Sequence, residues 1–224
     1  MTLIGIDAAV ARARSLVARR ADHSTAHAIA GAAAGATSRA IIGIAGPPGA
    51  GKSTLAQRVA DAVPGAVVVG LDGFHLAHSV LVARGDVERK GAIDTFDAAG
   101  YVALLERIRV GEPGPIWAPE FRRDLEDAIA GASAVAADTP LVITEGNYLL
   151  VDSPPWSRLP QLCDELWYAA VPEPVRIERL VARHVHYGRT PAAALARANT
   201  GSDAINARLV NATRHRAEVL VAES

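Results

Sequence analysis

Eight consecutive residues, Gly46-Pro47-Pro48-Gly49-Ala50-Gly51-Lys52-Ser53, match the pattern G-x-x-x-x-G-K-[ST] at every fixed position. Glycines at such spacing let the backbone curl until successive N–H groups point inward, and a helix directly after the loop adds positive potential at its N-terminus. That is a cradle for a polyphosphate. Lys52 then reaches the β- and γ-phosphates, Ser53 holds Mg²⁺, and Thr54 carries the loop into the helix. The chain is expected to bind a nucleoside triphosphate. Downstream, Asp72-Gly73-Phe74-His75 closes a second apolar run. A carboxylate there faces the γ-phosphate across a crevice, where it accepts the proton of an attacking hydroxyl or helps to orient the metal. Asp-Gly is also an ordinary turn-former, but a phosphate loop upstream in the same βαβ unit favours the chemical role for Asp72.

These groups need elements to position them. Residues 40–45 form a short apolar run suited to a strand buried on both faces, and it leads directly into the glycine-rich turn and a helical stretch over 54–62. Further buried-strand candidates are 66–71, 141–144 ending at Glu145-Gly146, and 166–171. Tyr101, Leu104, Leu105 and Ile108 have helical spacing, with Asp97 as cap and Gly111 as stop. Two helical stretches are expected near the end, over about 174–187 and 203–220. Strands alternating with helices predict an α/β fold with a mostly parallel sheet covered on both faces, its ligands beyond the carboxyl ends of the strands. The opening reads as an amphipathic helix with Ile6, Val10, Ala13 and Val17 on one side, and 22–38 as an Ala/Gly-rich linker. The expected organisation is an N-terminal helix and linker over 1–38 and a single domain over 39–224.

The composition narrows the class. At 224 residues, half of them hydrophobic, the chain can bury one sizeable core. Twenty-three basic residues against 24 acidic ones give a formal charge of −1, so no global field favours nucleic acid or an anionic membrane. No segment has the layout of a membrane span or a signal peptide, and the expected setting is cytoplasmic. The lone Cys163 permits no internal disulfide. His23 and His27, like His184 and His186, lack a third ligand nearby for zinc. With lysine present only at 52 and 90, the N-K-x-D element of guanine-specific GTPases is absent.

Beyond these motifs the chain resembles the phosphoribulokinase/uridine kinase family of P-loop kinases, and within it the pantothenate-kinase-like branch of bacterial nucleoside/nucleotide or fructose kinase-like proteins. The resemblance rests on GPPGAGKST (46–54), LDGFH (71–75), RKGAIDTFDAAGY (89–101), WAPEFRR (117–123), ITEGNYLL (143–150) and RIERLVARHVHYGR (176–189). It implies a P-loop NTPase three-layer sandwich with a small helical lid near 176–200. It also implies ATP and Mg²⁺ as cofactors, Asp72 as catalytic base, and Glu145 as the metal-holding carboxylate where many relatives carry aspartate.

Arg176, Arg179 and Arg183 lie three and four residues apart on one side of a predicted helix. A solvated basic face is the common fate of such a stripe. A phosphoryl transition state, however, spreads negative charge that lid arginines stabilise. The resemblance aligns Arg179, Arg183 and Arg189 with lid positions, Arg183 being the catalytic candidate. On the acceptor side the expected contacts are Lys90, Glu120, Arg122, Arg123, His75 and Tyr148, with Phe74 as a wall. The acceptor is expected to be the hydroxyl of a small molecule; nucleosides, sugars and pantothenate-like acids all fit, and a homodimer is left open. The rival reading is a nucleotide-binding regulatory protein that keeps the fold without transferring phosphate.

Overall fold

The computed structural model describes residues 2–29 and 38–222. In chain order the elements are β1 (Thr2–Ile4), α1 (Ile6–Ile29), β2 (Ala40–Ala45), α2 (Lys52–Asp61), β3 (Val67–Gly70), α3 (His78–Arg84), α4 (Ala98–Val110), β4 (Ile116–Arg122), β5 (Asp127–Val135), β6 (Leu141–Gly146), α5 (Leu159–Leu162), β7 (Glu165–Ala170), α6 (Glu173–His186), α7 (Pro191–Asn199), α8 (Ser202–Ala212) and β8 (Val219–Ala222). Six strands form one parallel sheet in the order β1-β8-β7-β2-β6-β3, and β4 and β5 form a separate antiparallel hairpin.

The apolar run of β2 is buried at all six residues, as a central parallel strand requires. Its side chains alternate between two cores. Ile41 and Ala45 face a layer built with Tyr101, Leu105 and Ile108 of α4, while Ile42 and Ile44 face Leu55 and Val59 of α2. Asp97 caps α4 by accepting from the Gly100 N–H at 2.8 Å, and Gly111 ends the helix in the left-handed region. Buried Arg39, just before β2, donates to the carbonyls of Thr139, Ile108, Ala136 and Ala137, which ties the start of the central strand to the end of α4 and the turn before β6.

Two expectations change. The closing helix does not run to residue 220: α8 stops at Ala212, and Val219–Ala222 forms β8, whose β-branched and apolar side chains pair with both β7 and β1. At the other end, residues 2–29 share the main sheet and core, although the sequence pattern sets 1–38 apart as a helix and linker. Ile6, Ala9, Ala13 and Leu16 are buried against the sheet beside α2. Arg12 Nε pairs with Glu165 at 2.6 Å, and Arg20 with Asp164. The linker assigned to 22–38 is helical as far as Ile29; residues 30–37 and the side chains of His23 and His27 lie outside the described residues. Among the described residues no helix is long and apolar enough to cross a membrane.

Candidate active site

Sheet order brings the chemistry together. Strands β2, β6 and β3 are adjacent, with Ile44 and Gly70 both opposite Glu145 in register. The loop after β2 with Lys52, the end of β6 with Glu145 and then Asn147, and the turn after β3 with Asp72 therefore open onto one cleft of about 460 Å³. Its lining includes Pro48, Gly49, Lys52, Ser53, Asp72, Glu145 and Asn147 on this side. Gly46, Pro47, Ala50, Gly51 and Thr54 complete the turn around them. Gly49 and Gly51 both have positive φ, and a Cβ on Gly49 would stand 2.8 Å from the Arg176 carbonyl. The curled backbone that cradles phosphate therefore requires glycine at Gly49 on two counts, conformation and contact.

Within the cleft, Lys52 Nζ donates to Asn147 Oδ1 at 2.8 Å and to the Pro47 carbonyl at 3.2 Å. Ser53 Oγ donates to Glu145 Oε1 at 2.7 Å. A hydroxyl beside a carboxylate is the hard-oxygen donor set that Mg²⁺ takes, so these two side chains fit the ion that the loop implies. Burial pushes the Glu145 carboxyl upward and the charge of Asp72 adds to this, against the pull of Lys52. Burial lowers Lys52, while Glu145 and Asp72 oppose the shift. Arg183 is lowered by burial and then by the nearby charge of Arg123. Lys52 and Arg183 thus carry charges that this cleft disfavours until an anion joins them.

Asp72 sits in a 3₁₀ turn, Leu71–Phe74, where residues three apart share a side. Asp72 and His75 consequently face the cleft, whereas Leu71 and Phe74 pack into the core, Phe74 edge-on to Tyr101 at 5.3 Å. Phe74 is not the acceptor wall. Phe96 and Phe121 line the cleft instead. The Asp72 carboxylate is 40% exposed and receives Arg123 at 3.3 Å. His75 Nδ1 lies 2.9 Å from the Asp72 carbonyl, and burial drives its pKa down.

The hairpin sorts the WAPEFRR segment. Ile116 and Ala118 point inward, but a register shift between Ala118 and Glu120 moves the inward parity to Phe121. Phe121 and Arg123 therefore line the cleft, and Glu120 and Arg122 turn to solvent, Arg122 pairing with Asp124 at 2.8 Å. Glu120 and Arg122 are not brought to the site. Lys90 is; its Nζ lies 4.8 Å over the Phe121 ring and 3.3 Å from Glu126 Oε2. Tyr148 is also a correction. It is fully buried and donates to the Gly91 carbonyl at 2.6 Å, so it shapes the wall from behind.

On α6, steps of about 100° bring Arg183 back to within about 20° of Arg176 and leave Arg179 about 60° away. Arg176 is buried and donates to the Pro48 carbonyl at 3.2 Å and to Glu173, bracing the phosphate loop. Arg183 and Arg189 line the cleft; Arg179 is exposed and does not. The three arginines share one face, as the spacing predicts, but have different surroundings: Arg176 braces the loop, Arg183 lines the cleft, and Arg179, at the edge of the arc, is exposed.

Several site residues carry no signal that the sequence pattern revealed: Asn147, Arg197, Asp203 and Asn206, with Phe96, Phe121, His78 and Glu126. Asn147 was within reach, since it comes directly after Glu145-Gly146 at a strand's carboxyl end. The residues from α7 and α8 carry no motif. Arg197 donates to the carbonyls of Glu88 and Lys90 at 3.2 Å each, Asn206 donates to the Gly91 carbonyl at 3.0 Å, and Asp203 bonds His184 at 2.6 Å. Burial opposes the Asp203 charge, but the His184 bond and the field of Arg197 outweigh it and hold the carboxyl below its usual range.

Comparison with known proteins bears on this cleft. No protein-family model matches the chain. The ATP-dependent kinase-like protein notR′ of Aspergillus versicolor is 34% identical over 133 residues, 56% of this chain and 77% of its own length. A candidate uridine kinase of Schizosaccharomyces pombe is 32% identical over 160 residues, 67% of this chain and 68% of its own. Among solved structures, a candidate fructose transport system kinase from a Silicibacter species has a TM-score of 0.74 at 38% identity, covering 81% of this chain and 89% of that one.

Proposed function

We propose, from the premise that this chain belongs to the phosphoribulokinase/uridine kinase family of P-loop kinases, that it transfers the γ-phosphoryl group of ATP to a hydroxyl of a small metabolite. The relatives support ATP-dependent kinase activity in general; the hydroxyl acceptor is our own reading of the cleft. One observation carries it: the phosphate loop, the Ser53–Glu145 pair and Asp72 converge on one cleft from three adjacent strands. We place the reaction in the cytoplasm, where ATP is made available.

In this reading the loop amides and Lys52 hold the β- and γ-phosphates, and Arg183 and Arg189 reach the same cleft from α6 and the turn after it. Ser53 and Glu145 hold Mg²⁺, which when bound offsets phosphate charge. Asp72 takes the proton of the acceptor hydroxyl as that oxygen attacks phosphorus. Arg123 orients the carboxylate and balances its charge. Little covalent work falls to the protein; its contribution is alignment and preorganised positive charge.

The test is Asp72→Asn. Transfer to a metabolite should be abolished while calorimetry still detects Mg·ATP binding. Undiminished transfer in Asp72→Asn removes Asp72 from the chemistry. If no acceptor stimulates ADP formation by the unaltered protein, the regulatory nucleotide-binding reading replaces the kinase.

A further inference from the structure

We infer that the acceptor is a compact, uncharged polyhydroxylated molecule, a sugar or sugar alcohol, and neither a nucleoside nor an acid. The inference rests on the kinase reading and on the walls of the cleft beyond Asp72.

Charge is the first observation. Three cations line this half, and each already has a carboxylate beside it: Arg123 lies 3.3 Å from Asp72, Lys90 lies 3.3 Å from Glu126, and Arg197 Nε lies 3.7 Å from Asp203. Formal charge cancels among these three pairs; Arg183 and Arg189, which also line the cleft, are the cations that the kinase reading gives to the phosphates. An anionic acceptor would have to draw one cation from its carboxylate and leave that carboxylate facing it unpaired, at a cost that is largest at the buried Arg197–Asp203 pair and smaller at the part-exposed Asp72 and Glu126. A hydroxyl has no such difficulty, because it both donates and accepts. Successive hydroxyls can donate to Glu126 or Asp203 while accepting from Lys90 or Arg197.

Aromatic faces are the second observation. A nucleobase is held by stacking on an open ring. The two phenylalanine rings of the cleft are engaged. Phe96 is 7% exposed and packs 4.0 Å from the His75 ring centre. Phe121 has Lys90 at 4.8 Å, His75 at 5.0 Å and the Arg123 guanidinium at 5.8 Å from its own centre. A base could stack on either only after evicting one of these partners. The half-exposed Tyr187 ring lines the cleft with Arg183 and Arg189, the cations that the kinase reading gives to the phosphates. Size points the same way, since the cleft of about 460 Å³ also takes the triphosphate.

The experiment is Mg·ATP-dependent phosphorylation, read by ADP release and product mass, against three panels. These are neutral pentoses, hexoses and sugar alcohols; nucleosides; and hydroxy acids with sugar phosphates. A neutral polyol should give the highest kcat/KM by about tenfold or more, the effect of one or two well-placed hydrogen bonds. A nucleoside or an anionic acceptor in first place overturns the inference and leaves the kinase reading intact. Product from none of the panels, with Mg·ATP binding retained, overturns both. Glu126 is largely exposed, so Glu126→Gln should fold normally. By removing the carboxylate charge beside Lys90, whose Nζ keeps its bond to the Glu126 backbone carbonyl, it should shift the kcat/KM ratio of an acidic analogue over its neutral parent upward by about tenfold. An unchanged ratio overturns the charge-matching on which the inference stands.

Discussion

Lys52 has three N–H donors, and two of them go to Asn147 Oδ1 and the Pro47 carbonyl, which leaves the third directed by geometry and not by chance. Asn147 is accordingly a positioning residue for the phosphate-binding ammonium. Asn147→Ala should raise the KM for ATP severalfold, and Asn147→Asp should be worse, since a carboxylate there pairs with Lys52 and repels the phosphates it serves. Steady-state kinetics with ATP varied distinguishes the two; equal effects would make Asn147 merely structural. Arg183 meets the cleft from α6 with its charge already disfavoured by burial. Arg183→Ala should lower kcat by about 10²-fold or more, taking arginine fingers as the guide; wild-type turnover in that variant would remove it from the mechanism. At this scale much was legible. Lys52, Ser53, Asp72, Glu145, His75, Lys90, Arg123, Arg183 and Arg189, all picked out by motif or resemblance, line one cleft, and their roles in it are the proposal's. Phe74 and Tyr148 were misplaced because adjacent residues in a turn or loop diverge, and residue type alone does not say which one turns inward.

Among the elements, the β4–β5 hairpin and the Asp72 turn act as a docked pair. A Cβ at Gly73 would lie 2.4 Å from the Pro119 carbonyl, so the hairpin backbone sits directly on the turn that carries the proposed base. Gly73→Ala should force them apart, costing about 1–3 kcal/mol of stability. It should also lower kcat more than the KM for ATP, because Arg123 and Phe121 move with the hairpin while the phosphate loop does not. Thermal melts together with kinetics would show both effects, and an unaltered kcat would mean the hairpin is not needed to align Asp72. The hairpin itself was missed in the sequence. Its register shift interrupts the alternation that announces a strand, and the same shift sends Glu120 and Arg122 outward.

Across the whole molecule, the N-terminal segment completes the sheet. Strand β1 pairs with β8, and α1 covers the face beside α2 with Ile6 and Leu16 buried along with Ala9 and Ala13. Deleting residues 1–38 should expose that face and leave β8 as a bare edge. Burial of Ile6 and Leu16 alone accounts for about 3–6 kcal/mol, a large share of the total stability of a typical domain. The truncated protein should express poorly or melt well below the full chain in calorimetry. A truncated form with an unchanged melting temperature would show that residues 39–224 fold independently.

The sequence by itself determined the parts whose signals are local. The phosphate loop is a matter of consecutive backbone angles, β2 is a continuous apolar run and β6 opens on one at 141–143, and α4 carries its own cap and stop. Only the tertiary structure decided which distant groups meet. It set Arg123 against Asp72 and Asn147 against Lys52, brought Arg197, Asp203 and Asn206 from α7 and α8 to the cleft, and joined β1 to β8 across the whole chain length. Such contacts depend on strand order, helix phase and hairpin register, and these arise from how the elements pack, which no stretch of neighbouring residues encodes.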